Sequence, residues 1–381
     1  MSPGPRLPLE LLSSIPSFLN TKDDEKLLKA LSLTSSCFLQ PTQRIIFNHI
    51  ILAGPPPDTH CKPPGKRLLE LLEASPHLAR YTTQLTITEL NSGVAYCTWL
   101  KDDIALPKAL GRRFSDQIVS FTFHRNFSCG SWRDIFAETK GAIVKICQSS
   151  SLDALSIQHV PFALLVGACG SKLKHLSSIE AIEDEIEFSP NSSRTIALET
   201  LHISQDIDIS HPNRPDEVYL KAIGIQLHAL KRLSVEALQP DDNTWVSELL
   251  SLSQDSLEAF EFQPSKTHPE GIQVPLDVSH SRSLATLKLT ILISEYSDDA
   301  WSDIPWTLSF LSSIPASTTN TIRTITLCLL LDIAEVEREG LRERVSGNRI
   351  SSDIQRIGRL FSNNSGREHK WGVVLSQGEV K

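Results

Sequence analysis

One six-residue pattern constrains this chain more than any other feature. The pattern is Leu-x-x-Leu-x-apolar, and it recurs along most of the sequence. Clear copies are Leu152-Leu155-Ile157, Leu198-Leu201-Ile203, Leu230-Leu233-Val235, Leu257-Phe260-Phe262, Leu284-Leu287-Leu289 and Ile322-Ile325-Leu327. Weaker copies are Ile118-Phe121-Phe123, Leu173-Leu176 and Leu85-Ile87. The last two apolar positions stand two residues apart, which puts both on one face of a strand. One short strand cannot bury that face, but stacked copies share a continuous core. The pattern therefore predicts an array of strands whose core row is 85, 121, 155, 176, 201, 233, 260, 287 and 325. The steps between these residues leave room for one covering helix or loop per strand. Helices are predicted over 134–148, 161–169, 216–228, 243–252 and 303–311. Asp216 and Asn243 carry capping chemistry for two of the starts.

Composition narrows the function classes. The 381 residues exceed what one small domain requires. Hydrophobic residues make up 40% and charged residues 22%, which excludes wholesale disorder. No run approaches the ~18 apolar residues of a membrane span. Prolines at 3, 5, 8 and 16 interrupt the start, so no secretory signal is read. A net charge of −8 supplies no basic excess to replace phosphate counterions, which argues against nucleic acid as the main partner. Seven cysteines without a C-x-x-C pair suggest neither a disulfide framework nor a local zinc site. The expected setting is intracellular, cytoplasmic or nuclear, with no membrane partner.

Four regions follow from these patterns: an apolar, helix-like stretch over 1–52; a proline-rich linker and connecting helix over 53–80; the repeats over 81–335; and a charged C-terminal tail over 336–381. In the first region Leu9, Leu12 and Ile15 fall on one helical face, and Pro16 ends or kinks that helix. Residues 21–24 supply the start of the next helix, with Leu27, Leu28, Leu31 and Phe38 on one side. Pro41 is read as opening a third short turn, and 49–52 as a strand entering the next layer.

Two family resemblances rest on these residues. Many of the repeat steps fall near the 20–29 residues of a leucine-rich repeat, and the unit resembles its L-x-x-L-x-L core without the asparagine that usually follows. Leu7-Pro8-Leu9-Glu10-Leu11 resembles the L-P-x-E-L opening of an F-box. Residues 26–50, with Leu28, Leu31, Leu33, Cys37, Phe38, Arg44 and Phe47, are similar to the rest of that motif. Pro16 and the absence of a tryptophan near Phe38 depart from it. The chain looks most like fungal, basidiomycete-type F-box-like proteins with degenerate leucine-rich repeats. The resemblance implies an α/β fold: a leucine-rich-repeat-like solenoid preceded by a small all-α F-box-like unit. It also implies a substrate-recruiting role in a cullin–RING ubiquitin ligase. A Skp-type adaptor, itself docked on the cullin scaffold, would bind Leu7, Pro8, Leu9, Leu11, Leu12, Ile15, Leu28, Leu31 and Phe38, and the repeats would hold an unknown protein substrate. Two other readings stay open. The N-terminal leucines could merely cap the first repeat, and the chain could be an interaction scaffold without ligase association.

Signs of chemistry on this chain are few. Residues 167–172 lack the full phosphate-loop pattern and read instead as a helix end turning at Gly170. No G-x-S-x-G, H-E-x-x-H or kinase signature is present. His159, His175 and His202 sit in or after repeat strands as surface hydrogen-bonding residues. The tryptophans Trp99, Trp132, Trp245, Trp301 and Trp306 are read as packing residues. No catalytic residue, cofactor or metal is expected. An enzyme would need a site assembled by folding from distant residues.

Overall fold

The repeat residues form the strands that their spacing predicts. In the computed structural model the described residues are 14–19, 24–54, 61–89, 99–111, 116–126, 132–179, 194–204, 217–236, 242–263, 276, 278, 280–294, 307, 310–311, 314, 321–332 and 370–377. Those up to Leu173 fall in one compact unit and those from Lys174 onward in a second. The architecture is mixed α/β, with parallel strands and covering helices.

In the first unit β1 (His49–Ala53), β2 (Gln84–Thr88), β3 (Ser120–His124) and β4 (Ala154–Gln158) pair in chain order, all parallel. Leu85 stands opposite Phe121, and Phe121 opposite Leu155. In the second unit β5 (His175–Ile179), β7 (Thr200–Ser204), β9 (Arg232–Glu236), β10 (Ala259–Gln263), β11 (Thr286–Ser294) and β12 (Thr324–Asp332) do the same. Leu176, Leu201, Leu233, Phe260, Leu287 and Ile325 form its core row. β6 (Ile196–Ala197) and β8 (Ile225–Gln226) make a separate short pair. Gly224 takes φ 84 at the turn into β8, a left-handed conformation that suits glycine.

A shared backbone device opens nearly every strand. The carbonyl of the residue before one strand accepts two successive N–H groups of the next. Asn48 accepts from Thr83 and Gln84 at 3.0 and 2.9 Å, and Thr83 from Val119 and Ser120 at 2.8 and 3.1 Å. Lys174, Glu199, Lys231, Glu258 and Ala285 repeat this in the second unit. The device locks register, because a one-residue slip would turn the leucines outward.

Hydroxyls just before the strands add a second set of links between neighbouring units. Ser256 Oγ donates to the Leu230 carbonyl at 2.8 Å, and Ser283 Oγ to the Asp255 carbonyl at 2.9 Å. Ser151 Oγ reaches the carbonyls of Asp116 and Ile118 at 3.0 Å each. In each case the serine directly precedes the first leucine of the unit. Thr82 replaces that first leucine, and its hydroxyl donates to the Phe47 carbonyl at 2.9 Å.

Helices cover the strands as expected at Ala137–Cys147, Phe162–Ala168 and Asp242–Leu252, whereas the one expected over 216–228 spans only Glu217–Ala222, because Gly224 turns the chain into β8. Asn243 lies inside its helix and not at the cap; Asp216 and most of 303–311 lie outside the described residues. Three features lie at the expected boundaries. β1 pairs with β2, so a division after residue 52 would cut the first sheet at its edge. The helix Pro64–Ala74 buries Leu68 and Leu72, so this connecting stretch belongs to the body of the first unit. Within the C-terminal tail, β13 (Lys370–Gln377) pairs parallel with β12. Its short apolar run shows no repeat pattern, so only pairing reveals it.

Asp103 fastens two helix starts. Its carboxylate accepts from the Gly65 N–H at 2.5 Å and from the Ala105 N–H at 3.2 Å. A Cβ on Gly65 would sit 2.6 Å from Leu106 Cα and 2.7 Å from Asp103 Oδ2. Gly65→Ala is therefore expected to destabilise the first unit by about 1–3 kcal/mol. Chemical denaturation checks this; an unchanged midpoint would mean that the two helices separate at little cost.

Candidate interaction surfaces

Two surfaces carry the residues that sequence reading selects. The first lies on the N-terminal helices. Leu7, Pro8, Leu9, Leu11 and Leu12 lie outside the described residues. Ile15 is exposed in a short 3-10 turn, Ile15–Phe18, where Pro16 fits the first turn and is buried. The next helix, Glu25–Thr34, buries Leu28 completely and leaves Leu31 half-buried. Ser35 is extended at φ −158 and accepts from the Cys37 N–H at 3.4 Å, which starts a second helix, Ser36–Ile46. That break puts Phe38 on a different helix from Leu28, where it is half-buried. Pro41 lies inside this second helix and does not open a new turn. The Thr42 side chain is buried there, and its hydroxyl donates to the Phe38 and Leu39 carbonyls at 2.6 and 3.0 Å.

Leu28 thus packs the helix pair and offers no surface to a partner in this conformation. The exposed apolar residues are Ile15, Phe18, Leu27, Leu33 and Leu39, with Phe18 at 85% and Leu33 at 87%. Phe18 and Leu39 were not selected by helical spacing, because a spacing argument cannot say which apolar face a neighbouring helix covers. The helix Ser36–Ile46 is anchored to the body. His77 Nε2 lies 3.3 Å from Gln43 Oε1, and the Arg44 guanidinium carbon lies 5.7 Å from the centre of the Tyr81 ring.

The second surface is the outward face of the strands. In the first unit, its three cross-strand rows are His49-Gln84-Ser120-Ala154, Ile51-Thr86-Thr122-Ser156 and Ala53-Thr88-His124-Gln158. Histidines on this face pair with hydroxyls on the next strand. His49 Nε2 lies 2.9 Å from Thr86 Oγ1, and His124 Nε2 lies 2.8 Å from Ser156 Oγ. Burial lowers the pKa of both imidazoles, helped at His124 by the nearby His159. His175 and Thr200 repeat the pairing at 3.0 Å in the second unit, as do His202 and Ser234 at 2.9 Å. Expected with His159 as surface hydrogen-bonding residues, His175 and His202 take that role, whereas His159 is buried.

In the second unit the outward strand positions carry charge, at Arg232, Glu236, Glu261 and Lys288. Glu199 bridges Lys174 and Lys231 at 3.0 and 2.9 Å across neighbouring strand starts. Hydrogen bonds from Lys231 and Lys174 draw its carboxyl down to about 2. On the face itself Lys288 pairs with Glu261, whose hydrogen bond raises the lysine's pKa.

The first unit also buries polar groups. Arg125 Nε donates to Glu89 Oε2 at 2.8 Å, with both side chains at 2% exposure or less. They follow β3 and β2 directly, with His159 in the equivalent place after β4 at φ 51. A hydrogen bond with Cys147, reinforced by burial, raises the Cys169 thiol well above its ordinary range, so Cys169 is chemically quiet. Trp99, Trp132 and Trp245 are buried, as expected of packing residues; Trp301 and Trp306 lie outside the described residues. Among the described residues no group of three or more His, Cys, Asp or Glu is placed to hold a metal ion, and no helix is long and apolar enough to cross a membrane. No family model matches this chain, and no curated protein matches its sequence.

Proposed function

We propose that this chain is a substrate-recruiting, F-box-like subunit of a cullin–RING ubiquitin ligase. Its N-terminal helices dock a Skp-type adaptor, and a leucine-rich-repeat-like solenoid holds the protein substrate. The observation that carries the reading is the set of exposed apolar side chains on a helix pair and the short turn before it, anchored to an array of single-strand repeats. Burying Phe18 or Leu33 in an interface is worth about 1.5–3 kcal/mol each, which is a strong incentive for a partner helix to cover them. The chain performs no bond chemistry in this reading. It holds a substrate lysine near a ubiquitin-charged enzyme and so raises the effective concentration of the reaction.

The test is a pull-down of the full chain with purified Skp-type adaptor, beside Phe18→Asp and Leu33→Asp variants. The variants should keep the parent's circular dichroism, since both side chains are already solvated. Adaptor affinity is expected to fall by about tenfold or more for each. Full-strength binding by both variants, or none by the folded parent, would leave an interaction scaffold without ligase association.

A further inference from the structure

The first unit's outward sheet face points to the kind of segment it holds. Its twelve positions on β1–β4, all but Thr88 at least partly exposed, carry no Asp, Glu, Lys or Arg. In a chain that is 22% charged, about two or three would be expected there. Solvated faces ordinarily carry more charge than the average, not less. Of the charged residues that directly flank these strands, Glu89 and Arg125 pair with each other in the interior, and Asp153 stands immediately before Ala154. The two imidazoles are hydrogen-bonded to hydroxyls, and burial favours their neutral form. What remains is a field of small hydroxyl, amide and imidazole groups with Ile51 at its edge, 60% exposed.

Such a face discriminates by charge. An ionised side chain laid against it would lose water and find no counterion among these twelve positions, a cost that no hydrogen bond from a neutral hydroxyl fully offsets. Depletion of charge is also what distinguishes the centre of a protein interface from its rim. Size selects further. Four strands at about 4.8 Å spacing and five residues at about 3.3 Å rise give a patch of about 300 Å². A globular partner needs about 800 Å² on each side. An extended chain crossing the four strands needs about six residues.

We propose that the outward face of β1–β4 holds a short extended segment of a partner protein that lacks charged side chains and binds through backbone, hydroxyl and amide groups. This inference rests on the substrate-capture reading of the strands and names the chemistry of what they capture. The probe is a set of short synthetic peptides, matched in hydropathy and divided into uncharged, acidic and basic groups. They are passed over the immobilised full chain and over its Thr86→Lys and Thr122→Glu variants, with folding checked by circular dichroism. The uncharged group is expected to be retained about tenfold better than either charged group. Both substitutions should remove that preference despite their opposite signs. Equal retention of all groups, preference for a charged group, no retention of any group, or retention unaltered by both substitutions would overturn the proposal. Adaptor binding reads the N-terminal helices and is scored independently of these outcomes.

Discussion

Truncating Arg125 to alanine is expected to lower the stability of the first unit by about 3–5 kcal/mol, because it leaves the Glu89 carboxylate in the interior without its guanidinium. The two groups meet at 2.8 Å, and neither side chain is more than 2% exposed. Burial already raises the Glu89 carboxyl above its ordinary range, against the opposing pull of Arg125. Removing Arg125 pushes it further up. A carboxyl whose folded-state pKa exceeds its unfolded value binds protons more tightly when folded. Its contribution to stability therefore falls as pH rises from the unfolded value through the folded one. The deficit of the variant should be largest near neutral pH and should shrink on acidification, as Glu89 takes up its proton. Urea denaturation at pH 7 and pH 5 measures both parts. A double variant, Glu89→Leu with Arg125→Met, should recover most of the loss, since apolar replacement of a buried pair is often neutral or stabilising. A deficit that stays constant with pH would show that Glu89 does not carry it.

Phe260→Ala should cost a comparable amount, about 3–5 kcal/mol, in the second unit. The ring is buried and stacks on Phe262 with centroids 5.9 Å apart. Its cross-strand neighbours are Leu233 and Leu287. Because each repeat leans on its neighbours, the loss should appear as faster amide hydrogen exchange in β9, β10 and β11 together. Phe260→Leu should cost much less, because leucine already fills this row at 201, 233 and 287. Equal effects from leucine and alanine would mean that the row does not require a large apolar group there.

The role of the serines before the repeats shows where a local pattern stops being informative. Ser151, Ser256 and Ser283 are visible in the sequence as a recurring flank. That their hydroxyls reach carbonyls of the preceding repeat depends on register, and register is a relation between strands. The helix pair shows the same limit. Leu27 and Leu28 are both read on one apolar side, yet Leu28 is fully buried and Leu27 is 48% exposed. Helical spacing says that apolar residues share a side, but only the neighbouring helix determines which are covered. The expected adaptor residues beyond Ile15, Leu28, Leu31 and Phe38 lie outside the described residues.

The sequence by itself determined which residues of each strand point inward, because alternation along a strand is a local property with period two. It thereby set the core row from Leu85 to Ile325, and the chain's lack of basic excess. Only the tertiary structure decided that β13 joins β12, that Glu89 and Arg125 meet across 36 residues, and that the face of β1–β4 is free of charge. Each of these depends on backbone pairing between distant segments, which no local pattern specifies.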